Sequence, residues 1–272
     1  MSPASSWSEA REGGVVTLVH ANPPRHTLTA AGVRELHERL DALERDPALR
    51  VLVLTGGGEG VFIAHYEVGE LAAAAEGASR GAAPAAAPAP PRRLHPFHEL
   101  CLRLERLPAI TLAALNGNAA GGGLELALAC DFRLLADGPF RIGLPETSVG
   151  IIPGAGGTQR LTRLLGTARA LDLVLHATLL APAEAAASGL VHRVFPAARF
   201  AAEVRAFAQD LADRAPIALA AAKRAIRAGA ELPLAEGLAL EQEQFERTLR
   251  SEDAAGAMRA FLRGERFTWK GE

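Results

Sequence analysis

An excess of either charge is missing from this chain: 31 acidic residues nearly offset 29 basic ones, for a formal net charge of −2 over 272 residues. Acids and bases are interspersed, so nothing in the charge pattern calls for a nucleic acid or another polyanion as partner. Cysteine is scarce. Cys101 and Cys130 both sit in apolar, helical-looking stretches, which predicts free thiols rather than a disulfide framework. No apolar run is long enough to span a membrane and none has the form of a signal segment. These absences together predict a soluble cytoplasmic protein. His20, His26, His37, His95, His98, His176 and His192 show no metal-ligand spacing, so no metal is expected.

What is present is apolar: 49% hydrophobic residues against 22% charged, enough for one sizeable core and one main domain. Strand-like segments at 15–20, 51–55, 110–115 and 132–136 alternate with helix-like ones such as 30–45. That alternation predicts an α/β fold with mostly parallel pairing and right-handed crossovers. From about residue 161 the pattern turns helical, over 168–176, 183–188, 199–214, 217–227 and 234–249. Residues 72–91 are rich in Ala, Pro and Gly, and the prolines at 84, 88, 90 and 91 oppose a continuous helix; a mobile or extended loop is expected there, reaching to residue 96.

Glu125 stands alone in the apolar run 116–130 and directly follows Gly121, Gly122, Gly123 and Leu124. A charged carboxylate among leucines costs several kcal/mol unless something compensates it, on the order of the penalty for an unpaired buried ion. The glycines let a ligand approach the backbone closely, and a helix starting near Gly122 aims free N–H groups at it. A second acid, Glu146, follows Pro145 in a turn-prone stretch. The run Pro153-Gly-Ala-Gly-Gly-Thr-Gln-Arg160 then leads into a helix. No lysine follows as in a phosphate-binding loop, so Gly154, Gly156 and Gly157 are read as permitting a tight turn against Glu146, with Arg160 supporting it. Lys223 and Arg224 are read as lying on a solvated helix face.

Through Asn116-Gly117, Gly121-Gly-Gly-Leu-Glu125, Cys130-Asp131, Leu144-Pro-Glu146 and Pro153 to Arg160, the chain resembles the enoyl-CoA hydratase/isomerase (crotonase) family. The resemblance extends over nearly the whole chain, from Gly14-Val-Val-Thr-Leu-Val19 to Phe267-Thr-Trp-Lys270. It implies a crotonase-like spiral of ββα turns over residues 1–195 and a C-terminal helical trimerisation and CoA-covering region over 196–272. It also implies a homotrimer or a dimer of trimers, with CoA as part of the substrate and no separate cofactor.

By the same resemblance Glu125 and Glu146 are the catalytic pair of a hydratase, Glu125 as base toward water and Glu146 as proton donor to Cα. The backbone N–H groups of Gly122 and Tyr66 form the oxyanion hole; Ala64, Tyr66, Glu67, Gly122, Phe261 and Lys270 contact substrate or CoA, the last two across a subunit boundary. The Tyr66 turn, Phe62-Ile-Ala-His-Tyr-Glu67, departs from the family at two places. His65 replaces a glycine and Glu67 an aspartate. His65 is then either a tolerated structural variant or an imidazole that modulates the chemistry. Beside hydration, isomerisation of the enoyl double bond, hydrolysis of a thioester or C–C bond, and non-catalytic acyl-CoA binding remain open on this scaffold.

Overall fold

The computed structural model describes residues 6–80 and 93–272. In chain order it contains β1 (Trp7–Glu12), β2 (Val15–His20), α1 (Ala30–Leu43), β3 (Val51–Gly56), β4 (Val61–Ile63), α2 (Val68–Arg80), α3 (Pro96–Arg106), β5 (Ile110–Leu115), β6 (Asn118–Ala120) and α4 (Gly122–Ala129). There follow β7 (Phe132–Ala136), β8 (Ile142–Gly143), a 3-10 turn (Glu146–Val149), α5 (Gly157–Leu165), α6 (Thr167–Leu175), β9 (Leu179–Leu180), α7 (Pro182–Ala187) and β10 (Arg193–Phe195). The helices α8 (Phe200–Ala212), α9 (Pro216–Gly229), α10 (Leu234–Leu249) and α11 (Glu252–Leu262) follow, and a tail without regular structure runs to residue 272.

The described residues form two sheets, one in the order β1-β2-β3-β5-β7-β10 and a smaller one in the order β4-β6-β8-β9. From β2 to β10 the first sheet is parallel throughout; β1 alone joins it antiparallel. Each turn of the spiral gives one long strand to the first sheet, one short strand to the second, and then helix: β3 and β4, β5 and β6, β7 and β8. Both faces of the central strands β3 and β5 are covered, so these read as continuous apolar runs rather than alternating ones. In β3, Leu52 and Leu54 join the core beneath α1, α3 and α4, while Val51 and Val53 face Phe200 and Val204 of α8. All four β3 side chains are essentially unexposed.

Helix ends follow their sequence signals. Thr29 caps α1 by accepting the Gly32 N–H at 3.0 Å, Pro96 occupies the first turn of α3, and Ser251 caps α11 through the Ala254 N–H at 3.1 Å. The loop expected over 72–96 is corrected at both ends. Residues 72–80 continue α2, and α3 begins at Pro96. The alanines at 72–75 have the highest helix propensity of any residue, and the first proline comes only at 84, too late to interrupt that turn. The rest of the expected loop, 81–92, lies outside the described residues. Among the described residues no helix is long and apolar enough to cross a membrane.

Candidate active site

Beyond the C-terminal ends of β3 and β5 the chain passes through β4 and β6, and α4 starts immediately after β6. Every residue of α4 is buried. Gly123 brings the helix against β4, where a Cβ would stand 2.2 Å from the Ile63 carbonyl oxygen. Gly121 turns the chain into the helix with φ +50, and its N–H donates to Gly143 O at 3.0 Å. This packing delivers Glu125 into the interior at 3% exposure.

The compensation Glu125 requires comes from the glycine loop. Its Oε1 accepts two backbone N–H bonds, from Ala155 and Gly157, each at 2.7 Å. The expectation that this loop turns against Glu146 is therefore corrected: it clamps Glu125. Gly156, between the two donors, has φ +100, a backbone that only glycine adopts without strain. Arg160 supports the loop as expected, donating to Ala155 O at 2.9 Å. Burial pushes the Glu125 carboxyl above its ordinary range, and the Gly157 and Ala155 N–H bonds, Arg160 and the Gly154 backbone pull it back.

Glu146 opens the 3-10 turn after β8, and its Oε1 lies 3.0 Å from where a Cβ on Gly121 would be. The two acids thus flank the entrance of α4. Oε2 of Glu146 is buried with no hydrogen-bond partner. Burial, with the neighbouring Glu125 charge adding to it, pushes this carboxyl up to about 7. One acid is held by backbone donors while the other is desolvated and left with a free oxygen. Their environments separate them in the manner that acid and base roles require.

Two backbone N–H groups with no acceptor among the described residues lie close together here. Gly122 is the first residue of α4, so its N–H has no intrahelical acceptor. Around Tyr66, Leu28 N donates to His65 O at 2.9 Å and Glu67 N to Leu28 O at 2.8 Å; in this parallel bridge the Tyr66 N–H points away from Leu28. A Cβ on Gly122 would stand 3.3 Å from Tyr66 N and 3.2 Å from the Phe97 ring. Only glycine leaves that gap open. Phe97, which sequence reasoning passed over, closes one side by stacking on the Tyr66 ring at 6.0 Å.

The substituted turn keeps ordinary backbone. Among the described residues the non-glycine positions with positive φ are His26 and Ala177, so His65 needs no glycine-like conformation. Its Nδ1 lies 2.7 Å from Tyr66 O. Glu67 accepts from Thr27 Oγ1 at 2.8 Å and Gly69 N at 3.1 Å, bonds that hold its carboxyl below the usual range. Ala64 O accepts from Ala120 N at 3.0 Å and joins the turn to β6.

Phe261 and Lys270 are not brought to this site. Phe261 is 82% exposed, and the Lys270 carbonyl meets Arg50, just before β3, at 3.3 Å. That places Lys270 at the opposite end of the sheet from the glutamates. A cavity of about 380 Å³ lined in part by Arg50, Ile110, Arg214 and Arg247 opens at that same far end.

Lys223 also departs from expectation. It is buried, with Nζ 2.7 Å from Asp131 Oδ2 and bonded to Ala109 O at 2.9 Å. Arg227, one turn on, donates to Asp131 Oδ1 at 2.8 Å and contacts Glu105 at 3.4 Å. Two cations at i and i+4 on an alanine-rich helix were the available signal, because that spacing puts both on one face. Glu105 in turn receives Arg160 at 2.8 and 3.0 Å, a pairing across 55 residues that no local motif announces.

A ββα spiral that sets two unequal carboxyls beside two free N–H groups defines a class of enzyme fold, the crotonase fold. The profile of the enoyl-CoA hydratase/isomerase family matches residues 10–272. The chain belongs to that family. It is 46% identical over 168 residues to the enoyl-CoA isomerase/hydratase fer4 of Mycosarcoma maydis, a match spanning 62% of this chain and 61% of that protein. It is 33% identical over 253 residues to the short-chain-enoyl-CoA hydratase of Clostridium acetobutylicum, covering 92% of each. The crystal structure of an enoyl-CoA hydratase from Bacillus anthracis superposes with a TM-score of 0.87 at 33% identity, over 98% of this chain and 100% of that one.

Proposed function

We propose that the protein hydrates a 2-enoyl-CoA thioester. The observation that carries this reading is the unequal pair: Glu125 clamped on one oxygen by two N–H groups, and Glu146 desolvated with one oxygen unpartnered. Glu125, ionised, takes a proton from water as the water oxygen bonds to Cβ. Electrons of the double bond move to the thioester oxygen, whose negative charge the Gly122 and Tyr66 N–H groups stabilise. Glu146, protonated, then delivers its proton to Cα, giving the 3-hydroxyacyl-CoA. Proton exchange with solvent restores both carboxyls. Each oxyanion donor is worth about 2.7–4 kcal/mol of barrier in sites of this kind. The reaction needs no cofactor beyond the CoA carried by the substrate. Isomerisation needs a carboxyl to shuttle one proton between carbons, with no base for water; the clamped second acid favours hydration. The relative from Clostridium acetobutylicum is named a hydratase, which agrees with this reading.

The test is an absorbance assay for loss of enoyl-thioester conjugation across short, medium and aromatic 2-enoyl-CoAs. Glu125→Gln and Glu146→Gln are each expected to lower turnover at least about a hundredfold, the lower range of positioned acid–base groups, with CoA-ester binding retained. Near wild-type turnover in either variant would remove that glutamate from the mechanism. Conjugation gained from a 3-enoyl-CoA, with none lost from any 2-enoyl-CoA, would make the enzyme an isomerase instead.

A further inference from the structure

Arg160 is three residues past the loop that holds Glu125 and carries a guanidinium that is mostly buried. All its strong contacts have one of two destinations. Nε and Nη2 take both oxygens of Glu105 on α3, at 2.8 and 3.0 Å, and Nη1 takes the Ala155 carbonyl at 2.9 Å. That carbonyl belongs to the peptide joining Ala155 to Gly156, which lies between the two peptides whose N–H groups, those of Ala155 and Gly157, donate to Glu125. Gly156 lies under the guanidinium, and a Cβ there would come within 2.2 Å of Nη1. Glu105 is itself fixed from the other side by Arg227, which is anchored on Asp131.

We propose that Arg160, seated on Glu105, is a positioning residue for Glu125: it fixes the peptide between Ala155 and Gly156, and so the two flanking peptides whose N–H groups clamp the carboxylate oxygen. The inference rests on the reading of Glu125 as the base toward water. A bidentate pair at the base of a loop gives geometric definition that a single surface ion pair does not. Because base efficiency depends on placement within a fraction of an ångström, a loosened loop lowers turnover without a matching loss of substrate binding. Charge acts in the same direction. The groups facing Glu125 are Arg160 on α5, Glu146 on the 3-10 turn and Cys101 on α3, and among them Arg160 is the cation. His98 on α3 faces Arg160 in turn and is held below its usual range by burial. Removing the guanidinium therefore leaves Glu125 harder to ionise.

The experiment compares wild type, Arg160→Gln, Arg160→Lys, Glu125→Gln and the Arg160→Gln/Glu125→Gln double variant on one accepted 2-enoyl-CoA across pH. Expected for Arg160→Gln is a fall in kcat of about tenfold or more with KM within about threefold, since the lost interaction acts in the transition state. The acid limb of its profile should move to higher pH. Arg160→Lys keeps the charge and should keep the limb near its wild-type position while recovering only part of kcat. In the Glu125→Gln background the Arg160 change should add little, because residues acting as one unit are not additive. An unchanged kcat, a fall in kcat with an unmoved acid limb, or full additivity with Glu125→Gln would each overturn the proposal. Should Arg160→Gln fail to fold, Arg160→Lys and Glu105→Gln carry the test, with a kcat loss selective over KM expected for both and wild-type kcat in both overturning it. Wild-type turnover in Glu125→Gln alone would refute the hydratase reading, an outcome separate from any result at Arg160.

Discussion

A carboxyl pushed to about 7 has a direct kinetic signature, because the proposed donor must hold its proton. The folded Glu146 value lies above that of a free carboxyl, so the protonated form persists to near neutral pH and is lost as pH rises through about 7. The kcat/KM profile reports groups of the free enzyme. It should fall on the basic side with a midpoint near 7, about tenfold per pH unit at full slope, and Glu146→Gln should abolish that limb along with most of the rate. A profile flat to pH 9 would show that Glu146 donates no proton. His65 leads to the opposite expectation. With ordinary φ and an Nδ1 engaged by the adjacent Tyr66 carbonyl, it reads as a tolerated variant, so His65→Gly should leave turnover within about threefold and the pH profile unmoved. A tenfold fall, about 1.4 kcal/mol of barrier, would place the ring in the chemistry.

At the scale of elements, the site depends on how tightly α4 lies on β4. A methyl at Gly123 would meet the Ile63 backbone carbonyl at 2.2 Å, and backbone cannot swing aside as a side chain can. Gly123→Ala is expected to cost on the order of 3 kcal/mol, the upper range for overpacking, and to lower Tm by roughly 6 °C or more. Activity should fall further than stability, since α4 carries both the Gly122 N–H and Glu125. Gly77→Ala is the control: a Cβ there meets nothing within 4 Å, so Tm should hold or rise. What the sequence made legible follows the same division. Glu125, Glu146 and the glycine run were readable because a lone acid in an apolar helix and three adjacent glycines are local facts. The partner of the 154–157 loop was not, because which acid a loop clamps depends on how β8 and α4 pack. Nor was the Glu105 and Arg160 pair, joined only when α3 and α5 meet. In α2 the local signal is sufficient by itself, since the alanines at 72–75 favour helix and precede the first proline, at 84, by nine residues. Lys223 failed for a related reason, since a lysine on a helix reads as solvated until β5 and Asp131 are set against it.

At the scale of the whole molecule, the C-terminal helices leave apolar side chains uncovered. Leu234 is 78% exposed, Phe245 60%, Phe261 82% and Leu262 84%. A second apolar group lies near Glu146 and on α6, where Val149 is 66% exposed, Ile152 68% and Leu175 65%. Such uncovered apolar groups mark contacts with another chain. A head-to-tail ring that closes covers such groups without open-ended growth. We therefore expect a mass of three or six chains by light scattering at micromolar concentration. The tail gives this prediction its functional edge. Asp253 accepts the N–H groups of Lys270 and Gly271 at 2.9 and 2.7 Å and so fixes the tail, yet Lys270 lies at the far end of the sheet from its own glutamates. If Lys270 serves a CoA bound by another subunit, Lys270→Ala should raise KM about two- to fivefold with kcat unchanged, roughly what one exposed ion contact contributes, and leave the assembly's mass as it was. A monodisperse monomer with wild-type activity would refute both the ring and the cross-subunit role, because a tail held at that end of the sheet has no way to reach the site in its own chain.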